Sequence, residues 1–214
     1  MIDIDKKEVL RYLGYKDTTP DEKTEALIDL CINEICLSAS PKTVYAVFEL
    51  DGMQLKNTVI TLEGKDIKNH LSGCSRCVLM AATLGADVER KIAQAQVCDI
   101  TKALVLDACA TAAIETVCDK LCDDIEKEIA PLKLTMRFSP GYGDFPLEMQ
   151  KAVVLVLDAG RKIGLTLTPE NIMIPRKSVT AVMGITEEKR NPKNCDTCNL
   201  KDTCTYRKEG TTCE

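Results

Sequence analysis

The chain has 214 residues, enough for one large domain with a buried core. With 45% hydrophobic and 29% charged residues it has a globular composition, and a net charge of −5 excludes a binder of phosphate backbones, which needs a basic stripe. No apolar run approaches the ~20 residues that span a bilayer, and Met1-Ile2-Asp3-Ile4-Asp5 lacks the basic-then-apolar pattern of a secretory signal, so a cytoplasmic protein is expected, with neither membrane nor nucleic acid among its partners.

Residues 6–14 predict a short amphipathic helix with Val9, Leu10 and Leu13 on one side. Thr19-Pro20-Asp21-Glu22 combines an N-cap threonine, a proline at the first helical position and a glutamate three residues after the cap. That helix runs to about Leu37, with Leu27, Cys31 and Ile35 four apart. Thr43–Leu50 is strand-like, Asp51-Gly52 signals a hairpin, and Thr58–Leu62 is the expected partner strand. Asp66 is placed to cap a short helix ending at Leu71. Val78–Leu84 is apolar enough for a central strand; Gly85 breaks it, and Asp87 starts a helix to about Val97.

The longest helix spans residues 100–129. Ala103, Leu106, Ala110, Ile114, Val117 and Leu121 form its core stripe, and Asp107, Thr111 and Glu115 lie four apart in a polar row beside it. Leu132–Phe138 predicts a strand. Pro146 opens a largely apolar helix through Ala152–Leu157 that Gly160 ends, residues 163–167 and 171–174 are short strands, and Ser178–Ile185 closes the sheet. The whole predicts an α+β fold: a twisted, mainly antiparallel sheet flanked by long helices. Its divisions are a helical segment at 1–40, a core at 41–186 and a cysteine-rich tail at 187–214.

Between the strand and the helix lies Arg137-Phe138-Ser139-Pro140-Gly141-Tyr142-Gly143-Asp144. Arg137 offers a planar fork for a carboxylate, Pro140 and the glycines allow a tight turn that bares its backbone, and Tyr142 adds a flat face and a hydroxyl. Such a loop suits a zwitterionic or nucleoside-like molecule; the plainer reading is a Pro-Gly turn with incidental neighbours.

Twelve cysteines fall into two groups. Eight, between residues 31 and 122, sit mostly among apolar neighbours and suit packing; Cys74 and Cys77 are counted with them. Cys195, Cys198, Cys204 and Cys213 crowd a polar tail. Four thiolates suffice for a zinc site or an iron–sulfur cluster, and so polar a tail folds only with a metal's free energy; redox or disulfide chemistry, or no function at all, are the other readings. His70 is the single histidine, which excludes a histidine-rich metal site. No Gly-x-Gly-x-x-Gly turn, phosphate loop, nucleophile elbow or radical-type cysteine triplet occurs.

Arg137, Gly141 and Tyr142, spaced Arg-x-x-x-Gly-Tyr and followed by a helix and Ile163-Gly164-Leu165-Thr166-Leu167-Thr168, resemble the activation domain of cobalamin-dependent methionine synthase. Ala81-Ala82-Thr83-Leu84-Gly85, followed by a helix with Asp107-Ala108, resembles stand-alone relatives of that domain. The likeness runs from about residue 40 to 185. It implies a module that binds S-adenosylmethionine and supports reductive methylation of a cobalamin held by a separate methionine synthase or corrinoid protein, with electrons from a flavodoxin or ferredoxin. Such a module is part of a methyltransferase system and not a complete enzyme.

By the same resemblance Arg137 takes the ligand carboxylate, the Ser139 and Gly141 backbone the adenosyl part, and Tyr142 orients the ligand. Asp107 and Glu115 are placed to receive its ammonium group, and Ser178 is a further contact. This sequence departs from the family in its cysteine-rich tail, in a shorter stretch before Arg137, and in lacking a cobalamin-binding Asp-x-His-x-x-Gly. Two other expectations stand beside it: an iron–sulfur electron-transfer or reductive activator protein for a corrinoid enzyme, and a zinc-stabilised adaptor.

Overall fold

The computed structural model describes residues 2–15 and 19–187. In chain order its elements are α1 (Lys6–Tyr12), α2 (Glu22–Ser38), β1 (Lys42–Asp51), β2 (Gln54–Leu55), α3 (Lys65–His70), β3 (Arg76–Thr83), α4 (Ala86–Cys98), α5 (Ile100–Ile129), β4 (Lys133–Leu134), α6 (Met149–Val156), α7 (Ala159–Ile163), β5 (Thr166–Leu167), β6 (Met173–Ile174) and β7 (Ser178–Thr186). Five strands form an antiparallel sheet in the order β2-β1-β3-β7-β4, and β5 and β6 make a separate hairpin. The α+β architecture expected from the sequence is the one observed.

β3 is central and buried along almost its whole length because helices cover both faces of the sheet. Val78, Met80 and Ala82 point into a layer made by α1, α2, α4 and α5. Cys77, Leu79 and Ala81 point the other way, towards α3, α6, α7 and the hairpin. β7 continues both faces in register, from Arg76 opposite Ile185 to Thr83 opposite Ser178.

α5 is the spine of the first layer. At 30 residues it is about 45 Å long. Leu106, Ala110, Ile114 and Leu121 of the expected stripe are buried, and α1, α2 and α4 pack along it. Ile4, Val9, Ile28, Cys31 and Ile35 of the N-terminal segment belong to the same core as β3, β7 and α5. Cys77, Cys109 and Cys118 are buried free thiols that burial pushes up to about 12, so they remain protonated packing groups.

Several local expectations are corrected. The cap of α2 is Asp21, which accepts from the Thr24 N–H at 2.8 Å, and not Thr19. The hairpin partner of β1 is Gln54–Leu55; of the expected strand Thr58–Leu62 only Thr61 forms a bridge, to Gln54. The apolar helix does not run to Gly160. Asp158 adopts a left-handed conformation (φ 53°), which splits it into α6 and α7, and Gly164 (φ 74°) ends the second piece. Leu155 is exposed, so this apolar helix is buried on one side only.

Four polar side chains are buried among the described residues: Thr83, Gln150, Ser178 and Thr180. Three of them are hydrogen-bonded: Thr83 accepts from the Gly85 N–H, Gln150 donates to the Asn171 carbonyl, and Ser178 donates to the Pro175 carbonyl. The Thr180 hydroxyl has no partner among the described residues. Thr180→Val removes an unpaired buried hydroxyl at nearly constant shape and adds strand propensity. Denaturant unfolding should therefore show a gain of about 1 kcal/mol.

Candidate functional site

The segment singled out by the sequence lies along the free edge of β7. Leu134 is opposite Ile185, but Phe138 is opposite Val182, so four steps on one strand face three on the other. The extra residue is a β-bulge, and Leu132–Phe138 is accordingly not a continuous strand. Thr135 holds both main-chain groups of Gly184: its N–H donates to the Gly184 carbonyl at 2.9 Å, and its hydroxyl accepts from the Gly184 N–H at 2.8 Å.

Side chains alternate along a strand, so one inserted residue reverses which face each later residue occupies. Leu134 faces α5. Without the bulge Arg137 would face away from α5; with it, Arg137 reaches Glu115 and Asp119 of α5, both at 2.6 Å. Phe138 turns to the opposite layer, where it meets His70, Tyr142 and Phe145.

The guanidinium is therefore not the free fork anticipated from the sequence. Its side chain is 17% exposed, against 41% for Glu115 and 69% for Asp119. Burial opposes its charge, but the Asp119 and Glu115 carboxylates outweigh that and hold it more firmly protonated than an ordinary arginine. Asp119 extends the four-apart row of Asp107, Thr111 and Glu115 by one turn, a continuation visible in the sequence.

The other end of the row is also occupied. Lys177 bonds Asp107 at 2.9 Å and the Thr111 hydroxyl at 2.8 Å. Ser178 does not join Arg137: it shares the face of Val182, its hydroxyl is buried, and it donates to Pro175 at 2.6 Å. Its neighbour Lys177 is the residue that reaches α5. Asp107 lies eight residues, about 12 Å, along the helix from Glu115. Of the candidates, Arg137 and Glu115 are in direct contact.

Beyond Phe138 the chain forms a compact loop. The Gly141 N–H donates to the Phe145 carbonyl, the Tyr142 N–H to Ser139 and the Phe145 N–H to Tyr142. The Ser139 N–H and the Gly141 carbonyl form no bond among the described residues. Tyr142 sits at the tip, half exposed and edge-on to Phe138. Asp66 does not cap its own helix. The Asp144 carboxylate accepts from the Lys65 and Asp66 N–H groups, while Asp66 accepts from the Asp144 N–H. These bonds, that to Asp66 foremost, hold the Asp144 carboxyl below the usual range.

No protein-family model and no curated protein sequence matches the chain. Among solved structures, it is similar to the crystal structure of the MetH reactivation domain bound to AdoHcy, with a TM-score of 0.61 and 15% identity. The match covers 98% of this chain and 82% of that one. The chain has the fold of a methionine synthase activation domain. At that identity the likeness extends to the fold and not to any single contact.

Among the described residues no group of three or more His, Cys, Asp or Glu side chains is arranged to hold a metal ion, and no helix is long and apolar enough to cross a membrane. Cys195, Cys198, Cys204 and Cys213 lie outside the described residues. An open depression of about 360 Å³ at one end of the sheet is lined by Gly73, Ser75, Arg76, Leu132 and Ile185–Glu187, none of them a ligand candidate.

Two outcomes test this description of the loop. Gly143 has φ +55°, and a Cβ there would run into the Asp66 carboxylate. Gly143→Ala should destabilise by more than about 1 kcal/mol in chemical denaturation, whereas a generic surface Gly→Ala would not. His70 is mainly buried, and desolvation lowers its pKa from 6.5 despite a bond to the Met136 backbone. The unfolded chain then takes up the proton first. Stability is complete above about pH 6.5 and falls as pH drops towards the folded value. Thermal melts between pH 7.5 and 5.5 should show this loss in the parent and a smaller one in His70→Gln.

Proposed function

We propose that the chain is an S-adenosylmethionine-binding accessory protein that supports reductive methylation of the cobalamin carried by a separate methionine synthase or corrinoid methyltransferase. The observation that carries this reading is the fold likeness, over nearly the whole chain, to a reactivation domain bound to AdoHcy, the demethylated product of that ligand. The Arg-x-x-x-Gly-Tyr segment at the free edge of β7 agrees with it.

Charge supports the reading. Arg137 with Glu115 and Asp119 sums to 1 − 2 = −1. S-adenosylmethionine carries a carboxylate, an ammonium and a sulfonium, a net of +1, so ligand and site are complementary. A ligand carboxylate displaces Asp119, the more exposed partner of Arg137, and the ammonium group pairs with the carboxylates left beside it. The Ser139 N–H and Gly141 carbonyl are the main-chain groups open to the adenosyl part, and Tyr142 borders it from the far side of the edge. Asp107 and Ser178 stand further off, as contacts made only after Lys177 or Pro175 releases them.

The chain's task in such a reaction is positioning: it holds the methyl group facing outwards, in line with the metal of the partner's cofactor. The electron comes from a flavodoxin or ferredoxin. Cys195, Cys198, Cys204 and Cys213 are the residues that would hold zinc or an iron–sulfur cluster. With a cluster, the chain becomes an electron donor or reductive activator of the corrinoid enzyme; with zinc, the tail is a docking adaptor.

Calorimetric titration with S-adenosylmethionine tests the ligand. Arg137→Ala should weaken binding at least tenfold, the loss of one charge-assisted pair, and Glu115→Gln by less. Affinity unaltered in Arg137→Ala would falsify the assignment. Anaerobic reconstitution with iron and sulfide tests the tail: a coloured protein supports a cluster, and zinc retained on purification supports the adaptor.

A further inference from the structure

We propose that His70 is a positioning residue for the Arg137–Tyr142 segment, holding the bulge through its bond to Thr135 and its stack on Phe138. The link to a ligand rests on the reading in the preceding subsection; the brace itself rests on geometry alone. α3 touches the segment at both ends. At its start, the main-chain N–H groups of Lys65 and Asp66 hold Asp144. At its end, His70 Nε2 lies 2.8 Å from the Thr135 hydroxyl, and its ring lies 5.0 Å from that of Phe138.

The Thr135 hydroxyl is the hinge of this arrangement. The bulge draws the edge chain away from β7, and the hydroxyl takes up the Gly184 N–H in place of a main-chain carbonyl. Having accepted there, it still has a proton to donate. The Met136 carbonyl is 3.4 Å away and His70 Nε2 only 2.8 Å, so the ring nitrogen is the better acceptor. The relay Gly184 N–H to Thr135 O–H to His70 Nε2 fixes the bulge from the side opposite α5. A Cβ at Gly184 would meet Cys74, Leu71 and Thr135, so the site has little room for another arrangement.

If this relay is lost, the bulge can migrate along the edge, and once it passes Arg137 and Phe138 their faces are exchanged. The guanidinium would leave α5, and Tyr142 would lose Phe138 as its backing. His70 then acts on ligand affinity without touching ligand, a role distinct from that of Arg137.

The test uses the full chain with His70→Leu, Thr135→Val and His70→Gln, the last able to place an amide near the Nε2 position. Hydrogen exchange should quicken about tenfold at the Gly184 amide and across residues 138–145 in the first two variants, with α5 unchanged. S-adenosylmethionine affinity should fall by a similar factor, and His70→Gln should restore both. As the chain holds one histidine, its imidazole nitrogen signals are assigned without ambiguity and should report an unprotonated Nε2. Unchanged exchange at Gly184 and 138–145 in both His70→Leu and Thr135→Val overturns the brace, as does failure of His70→Gln to recover protection. Quickened local exchange in a protein that never binds S-adenosylmethionine leaves the brace standing and removes only the ligand. Should His70→Leu not fold, Thr135→Val breaks the same bond from the strand side.

Discussion

One inserted residue between Leu134 and Phe138 decides what this molecule presents at the edge of its sheet. Antiparallel strands assign faces by parity, and parity is all-or-none: no compromise leaves Arg137 partly on each side. The bulge sends the guanidinium to α5 and the aromatic ring that follows it to the opposite layer. Arg137 and Tyr142, neighbours in the sequence pattern, thus stand on either side of a strand edge. A small molecule touching both must lie across that edge, over Ser139 and Gly141. The ion pairs of Arg137, the loop bonds and the α3 contacts all assume this setting.

The helical layer depends on the same edge. α5 carries four polar residues spaced one turn apart, and a cation arrives at each end of the row: Lys177 from the start of β7 and Arg137 from beyond β4. Each pair on its own is partly exposed and worth little, in the range of 0–1 kcal/mol. Together they tie the spine helix to the sheet at two points, beside the register that the close-packed core already sets. A ligand that takes Asp119 from Arg137 would loosen one point and leave the other in place.

Much of the fold was legible in the sequence, because periodicity reports burial directly. The stripe on α5, the unbroken apolar run of β3 and the glycine stop before α4 were each read from spacing and found as read. Several of the misses depend on partners distant in the chain. Asp66 looked like a cap, yet the carboxylate over α3 comes from Asp144, and nothing local signals a bond across 78 residues. Asp158 gave no warning of its left-handed conformation. For the site, the sequence supplied the residues but not their faces. A bulge leaves no compositional mark at Thr135–Arg137, so the engagement of Arg137 with α5 was invisible, and Lys177 was passed over for the serine beside it.

Gly64 and Gly143 face each other's aspartates: a Cβ at the first would crowd Asp144, and one at the second would crowd Asp66. The four positions are one mutual fit, written in two pieces nearly eighty residues apart. Relatives of this chain should therefore change them as a set. A lineage that gains a side chain at 64 or 143 should also have shortened or replaced the facing carboxylate, and with it given up the tether between the short helix and the tyrosine loop.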